Sequence, residues 1–233
     1  MLLKIRISII VIILFLANPT FSQPLVGFQM GLNLANLVGD EQNEDTRVRI
    51  GVAPYLSFDF PINNILIIET GISYSMQGMQ RTRIEKTPTS VFTTDTKYQL
   101  DYVVVPVYVM ENFENFYAKL GPYGAYAVSA VEKWDMLENT AGVITNTSGT
   151  NLEFPNQINL YDIGLSMAFG YIHYFDNHHR RRRFGRRRTT TVMQIDLKYN
   201  FGLITLDNTG TNSNLNFKNR VFTFGITFNS ILD

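Results

Sequence analysis

One segment of the chain concentrates positive charge strongly enough to predict binding of anions. Residues 178–188 read HHRRRRFGRRR. A guanidinium group donates two parallel hydrogen bonds to a phosphate or a carboxylate, so this cluster favours lipid headgroups or an acidic protein partner. The alternative is a solvated, disordered turn, because runs of like charge are often disordered. The cluster consists of Arg180, Arg181, Arg182, Arg183, Arg186, Arg187 and Arg188.

The residue types that enzymes use most are scarce. Histidine occurs only at positions 173, 178 and 179, outside the long polar segments named below, so a histidine-activated nucleophile is not predicted there. The chain has no cysteine, which excludes thiol catalysis, disulfides and cysteine-ligated zinc. No glycine-rich stretch is followed by Lys-Ser or Lys-Thr, as a phosphate-binding loop requires. We therefore predict that the protein is not an enzyme and holds no metal or cofactor.

The composition points away from nucleic acid and from an ordinary soluble domain. The 20 basic residues balance 20 acidic ones, so the whole chain has no excess charge for binding nucleic acid. Charged residues make up 17% and aromatic residues 13% of the chain. The charged share is low, because soluble domains average about 25%.

The first 22 residues predict export from the cytoplasm. A short basic start is followed by an apolar run over residues 7–17 and then by Asn18-Pro19. This layout is typical of a secretory signal peptide, with cleavage expected between Ser22 and Gln23. The alternative of a retained anchor is less favoured, because about 20 apolar residues are needed to span a bilayer. The predicted domains are the signal peptide, 1–22, and one further domain, 23–233.

After the signal peptide, the sequence alternates with the two-residue period of β-strands. In residues 191–203, for example, large apolar side chains alternate with polar residues and glycine. Pro54, Pro106 and Pro122 lie within this pattern, and each predicts a bulge or a strand end, because proline cannot donate a ladder hydrogen bond. The pattern predicts eight strands, at about 24–37, 48–60, 65–77, 98–110, 116–131, 158–175, 190–204 and 219–230.

The segments between these strands predict a membrane barrel. Two of them, 61–64 and 111–115, are short turns, whereas those at the opposite end are long and polar. This asymmetry is typical of outer-membrane β-barrels, with short turns in the periplasm. The long segments are 38–47, 78–97, 132–157 and 205–218.

The two strand faces support the same fold class. One face carries large aromatic residues, and the other is rich in Gly, Ala and Ser, which fit the narrow lumen of an eight-stranded barrel. We predict an all-β protein: a closed, antiparallel, up-and-down transmembrane β-barrel in the cell outer membrane. The alternative is a soluble β-barrel or sandwich. Strand parity also places the arginine cluster in a turn on the periplasmic side.

Alternation directs several charged side chains into the lumen. Burying an isolated ion is costly, so these groups must be paired. We predict a packed polar network in which Lys119 and Lys198 lie between carboxylates, and we favour a plug over a transport path. Its members are Asp59, Glu69, Asp101, Lys119, Asp162, Asp196 and Lys198.

The strands resemble those of a known family. The segments GFQMGLNLANL, LDYVVVP, AKLGPYGAY, DLKYNFGL and NRVFTFGITF are similar to strands of the outer-membrane β-barrel family of Bacteroidota that is called PorT-like. The resemblance covers essentially all of the chain after the signal peptide. It implies an eight-stranded barrel in the outer membrane, with a role associated with secretion in the member that gave the family its name.

The sequence leaves three functions open. The first is a non-enzymatic barrel with a structural, scaffolding or interaction role in the envelope. The second is a narrow channel or transporter for small solutes. The third is a soluble periplasmic barrel that binds an apolar ligand. The expected partners are outer-membrane lipids, the barrel assembly machinery and an acidic periplasmic protein at the arginine cluster, and nucleic acid is not among them.

Overall fold

The computed structural model describes residues 24–39, 45–63, 65–151, 153–175, 191–207 and 217–231. The predicted signal peptide and the arginine cluster, with His178 and His179, lie outside these residues. The strands are β1 (Leu25–Gly39), β2 (Asp45–Val52), β3 (Tyr55–Pro61), β4 (Leu66–Lys86), β5 (Ser90–Phe113), β6 (Phe116–Thr140), β7 (Val143–Asn151), β8 (Tyr161–Phe175), β9 (Thr191–Thr205) and β10 (Phe217–Ile231), and a helical turn, α1, spans Phe154–Gln157.

The strands close into a ring of eight, as the sequence predicts. Strands β2 and β3 together form one member of the ring, and they pair with β1 on one side and β4 on the other. The ring continues antiparallel through β5, β6, β8, β9 and β10. It closes between β10 and β1, whose ladder runs from Leu25↔Ile231 to Gly39↔Phe217. The predicted fold class, a closed antiparallel β-barrel, is therefore confirmed.

The barrel wall is apolar outside and polar inside. In β8, the outward residues Ile163 and Phe169 are 53% and 57% exposed, whereas Asp162 and Ser166, which point inward, are almost fully buried. Soluble barrels show the opposite arrangement, with the apolar face buried. An exposed apolar wall around a polar interior is the arrangement that a lipid bilayer requires. No helix among the described residues is long and apolar enough to cross a membrane.

Aromatic residues mark both ends of the apolar wall, as the interfaces of membrane barrels require. At one end the exposed rings of Tyr126 and Tyr161 lie 5.1 Å apart. At the other end Phe116 packs against Tyr171, with ring centroids 5.4 Å apart. The second end also carries the short β3–β4 and β5–β6 turns and both ends of the described chain, so it faces the periplasm.

Two predicted loops are wrong, because the strands extend beyond the barrel. Strands β4 and β5 continue as a hairpin through most of the predicted loop 78–97, with a turn at residues 87–89. Strand β6 likewise continues into the predicted loop 132–157, and β7 folds back along it. We call this extension the projecting sheet, formed by residues 79–86, 90–98, 132–140 and 143–151. Both of its faces are largely polar, so it has no amphipathic alternation, although its many threonines favour strands.

The three strand prolines behave differently from one another. Pro54 lies at the break between β2 and β3, which agrees with a strand end. Near Pro106 and Pro122 the β5–β6 ladder skips two residue pairs but keeps its register, so the predicted bulges are wrong there. The register shift of this ladder lies between Asp101 and Tyr102 instead.

Candidate functional site

The centre of the lumen holds an ion cluster built from three strands. Lys119 on β6 donates hydrogen bonds of 3.0 and 3.1 Å to the two carboxylate oxygens of Glu69 on β4. Its Nζ also lies 3.5 Å from Oδ2 of Asp196 on β9. The side chains of Lys119, Glu69 and Asp196 are only 3%, 2% and 0% exposed. One cation therefore lies between two buried carboxylates.

Neutral donors complete this cluster. The hydroxyl of Tyr55 donates to Glu69 at 3.0 Å, and that of Tyr117 donates to Asp196 at 2.9 Å. Gln29 donates to both carboxylate oxygens of Asp196, at 3.1 and 3.0 Å. Lys119 Nζ also lies 5.2 Å from the centroid of the Tyr108 ring, within cation–π range. The buried charges are thus compensated as the lumen of a narrow barrel requires.

Three further residues that we predict in the lumen do lie there, although they are not part of the ion cluster. Asp59 accepts a hydrogen bond from Asn229 at 3.1 Å. Asp162 lies nearer the extracellular end and accepts from Tyr123 and Asn219, both at 3.0 Å. Lys198 differs from the prediction, because no described carboxylate lies within ion-pair distance of it. Its Nζ instead lies 5.3 Å from the centroid of the Tyr55 ring.

The structure corrects the predicted position of Asp101. Its neighbours in β5, Leu100 and Tyr102, point into the lumen and are 0% and 1% exposed, so Asp101 points outward. There it forms an ion pair with Arg49 at 3.2 Å and accepts a hydrogen bond from the Tyr74 hydroxyl at 2.9 Å. The parity of this strand is hard to assign from sequence, because its residues are apolar on both faces.

Apolar residues close the lumen above and below the ion cluster. At the extracellular end, Phe154 and Ile158 fold into the mouth and are 0% and 1% exposed. Phe154 packs against Tyr98, with ring centroids 5.5 Å apart. At the periplasmic end, Met110, Tyr117, Ile172 and Val192 form a second buried cluster.

Little space remains between these layers. A cavity beside Lys198, Tyr55 and Thr223 has a volume of only about 10 Å³, which barely accommodates one water molecule. The described residues of the lumen therefore form a packed plug.

A larger cavity lies outside the barrel, on the inner face of the projecting sheet. Its volume is about 410 Å³ and it is open to solvent. Arg81, which lines the cavity, is 5% exposed. The central carbon of its guanidinium group lies 5.7 Å from the centroid of the Phe217 ring. Charged groups of both signs line this groove, which suits it to recognition of another surface. Its lining includes Arg81, Arg83, Glu85, Tyr98, Glu132 and Met136.

The described residues include side chains that metal ions use as ligands, namely those of Asp, Glu and His. None of their groups of His, Asp and Glu has a geometry that could hold a metal ion. His173 lies on the outward face of β8 and contacts the ring of Phe175, with centroids 4.8 Å apart.

The buried tyrosines and Gln29 are the functional residues that sequence reasoning missed. Aromatic residues are assigned to the lipid face by their type, yet Tyr55, Tyr108 and Tyr117 lie in the lumen. Tyr55 shares its parity with the buried Ser57 in β3, and Tyr117 shares its parity with the buried Gly121 in β6, so alternation identifies these two as inward-facing.

The match to a protein family agrees with this geometry. Residues 21–229 match the family described as "Outer membrane protein beta-barrel domain". The chain belongs to this family. It is therefore an integral β-barrel protein of the cell outer membrane, as the sequence predicts, and the alternative of a soluble periplasmic barrel is wrong.

Comparisons with individual proteins add little to the family assignment. No curated protein matches the chain. Neisserial surface protein A is similar in structure, with a TM-score of 0.40 and 12% identity over 91% of this chain and 99% of that one. The attachment invasion locus protein Ail of Yersinia pestis has a TM-score of 0.37 and 13% identity over 89% of this chain and 99% of that one.

Proposed function

We propose that the protein is a non-enzymatic anchor and interaction protein of the outer membrane. The observation that carries this proposal is the packed lumen, in which an ion cluster lies between two apolar layers. Conduction requires a continuous polar path, whereas buried apolar clusters of described residues lie on both sides of the ion cluster. The barrel then acts as a rigid support for the projecting sheet, whose open groove is the surface available for recognition.

Single-channel recording distinguishes this function from the alternative of a narrow channel or transporter. The purified full-length protein is inserted into planar bilayers, with a general porin as the positive control. We expect no steady openings, because Phe154 and the Lys119–Glu69 pair block the path at two levels. Steady openings of large conductance would contradict the proposal and favour the channel.

More specific roles, in secretion and in binding of anionic partners, are supported by the sequence. The resemblance to PorT-like barrels supports a secretion-associated role as one form of the interaction function. The cluster Arg180–Arg183 and Arg186–Arg188 supports contact with lipid phosphate or with an acidic periplasmic partner. Membership of the outer-membrane β-barrel family supports insertion by the barrel assembly machinery. Replacing the seven arginines with Gln tests the contact, because unchanged partner co-purification and membrane integrity would refute it.

A further inference from the structure

The outer wall of β10 carries two basic side chains beside the lipid-facing surface. Lys218 and Arg220 alternate with Phe217, Asn219 and Val221, which are 4%, 4% and 1% exposed and point into the lumen. Both basic side chains therefore lie on the outward face. No described residue forms an ion pair with either of them.

The guanidinium group of Arg220 is held in a defined position. Its Nη1 donates to the carbonyl oxygens of Gly202 and Asn219, at 2.7 and 2.8 Å. Its central carbon lies 3.7 Å from the centroid of the Phe201 ring, which faces it across the β9–β10 ladder. The register of this ladder shifts between Lys218 and Arg220, next to the carbonyl groups that Arg220 binds.

This position leaves the other edge of Arg220 open. Its Nε and Nη2 have no hydrogen-bond partner among the described residues. These are the atoms that form two parallel bonds to a phosphate oxygen pair. Asn36 lies directly opposite on β1. Its Oδ1 accepts from the backbone N–H of Leu37 at 3.0 Å, and its side-chain amide N–H groups have no described acceptor.

The two basic residues lie at the extracellular edge of the apolar wall. Phe222 is the next outward-facing residue of β10 towards the periplasm, and Leu34 lies opposite it on β1. Their side chains are 39% and 43% exposed and face lipid. Just above Lys218, the β1–β10 ladder ends at Gly39↔Phe217. A headgroup of the outer leaflet, whose acyl chains lie along this wall, would reach the same level as Arg220.

The surrounding wall does not neutralise this charge. The outward faces of β8, β9, β10 and β1 carry no Asp or Glu among the described residues. Two other arginines on the outside of the barrel do have acidic partners. Arg49 pairs with Asp101 at 3.2 Å, and Arg47 lies 3.6 Å from Asp45.

We propose that Arg220, Lys218 and the side-chain amide of Asn36 bind the phosphate group of an anionic lipid in the outer leaflet. These three groups offer donors, and their one acceptor, Asn36 Oδ1, is already bound to the N–H of Leu37, so they select a phosphate oxygen. The lipid-facing position of Phe222 and Leu34 selects a phosphate that carries acyl chains over one that is free in solution.

Native mass spectrometry of the purified full-length protein in neutral detergent tests the proposal. The probes are phosphatidic acid and phosphatidylcholine with the same acyl chains. We expect the parent protein to retain phosphatidic acid preferentially. Lys218→Gln should weaken this retention about fivefold, the ratio expected for one basic group near an anionic headgroup. Retention of phosphatidylcholine should not change.

Two further variants make the test specific. Arg220→Lys keeps the positive charge but removes the paired donors, so it should also weaken retention of phosphatidic acid. Arg47→Gln is the matched control and should have no effect, because Arg47 is already paired with Asp45. The site would be overturned if Lys218→Gln and Arg220→Lys both retained phosphatidic acid as the parent does. It would also be overturned if Arg47→Gln lost as much retention as these two variants. Displacement of phosphatidic acid by an equal concentration of inorganic phosphate would overturn the assignment to a lipid.

Discussion

Lys119 Nζ lies 3.0 Å from Oε1 of Glu69 at the centre of the barrel, where both side chains are almost completely removed from solvent. Transferring such charges out of water costs several kcal/mol per ion, which their attraction offsets only with good geometry and additional hydrogen bonds. The donors from Tyr55, Tyr117 and Gln29 provide those bonds. Loss of one member should therefore harm the barrel more than replacement of the whole cluster.

Replacing Lys119 with Met should destabilise the barrel by about 3–5 kcal/mol, because Glu69 and Asp196 would remain buried without their cation. The measurement is urea unfolding in lipid vesicles, followed by the different gel mobilities of folded and unfolded protein in unboiled samples. The triple variant Glu69→Gln, Lys119→Met, Asp196→Asn should recover a large part of the loss, because it removes all three charges of the cluster together.

Lys86→Met is the control for this experiment, since Lys86 is exposed at the end of β4. It should change the unfolding free energy by less than about 0.5 kcal/mol. If Lys119→Met behaves like this control, the ion cluster does not stabilise the barrel.

Replacing Tyr117 with Phe should destabilise the barrel by about 1–3 kcal/mol, because Asp196 would lose the hydroxyl that donates to it at 2.9 Å. Tyr126→Phe removes the same atom from a ring that is 43% exposed on the outer wall, so it should be nearly neutral. Urea unfolding of both variants in the same vesicles provides the comparison. Equal effects would mean that Tyr117 acts only through packing.

The sequence predicts the face on which a residue lies better than it predicts the residue's partners. Glu69, Lys119 and Asp196 are assigned to the lumen by alternation alone, because each side chain in a strand faces opposite to its neighbours. Alternation does not give the height of a residue in the barrel, which depends on the register between strands. For this reason it does not show that Lys119 meets Glu69 and Asp196, while Lys198 lies against the ring of Tyr55.

Two of the sequence predictions are wrong for the same reason, which is that apolar and polar residues do not alternate in those segments. Around Asp101 the strand is apolar on both faces, so its parity is ambiguous, and the residue lies outside the lumen rather than within it. In the projecting sheet both faces are largely polar and most residues are exposed or half-buried, so residues 78–97 and 132–157 read as loops. The ladder between residues 90–98 and 132–140 is a long-range pairing, which local patterns do not encode.

Replacing Gly170 with Ala should destabilise the barrel by about 1–3 kcal/mol, because an added Cβ would lie 2.4 Å from the ring of Tyr117. The displaced ring would also weaken the hydrogen bond to Asp196. Gly124→Ala is the matched control, since nothing lies within 4 Å of its added Cβ. If both glycine variants unfold at the same urea concentration, the lumen around Tyr117 is less tightly packed than the structure shows.

Shortening the projecting sheet should leave the barrel intact. Arg83 and Thr94 lie opposite each other in the β4–β5 ladder, so residues 84–93 can be replaced by Asn-Gly, which forms a two-residue hairpin turn. The unfolding free energy should change by less than about 1 kcal/mol, as for a modest change in loop length. The measurement is again gel mobility of unboiled samples, with fluorescence of the single tryptophan, Trp134, as a local probe of the sheet. Loss of the folded band would show that the sheet is needed to close the barrel. A folded band with altered Trp134 emission would support a rigid anchor that carries a separable surface for recognition.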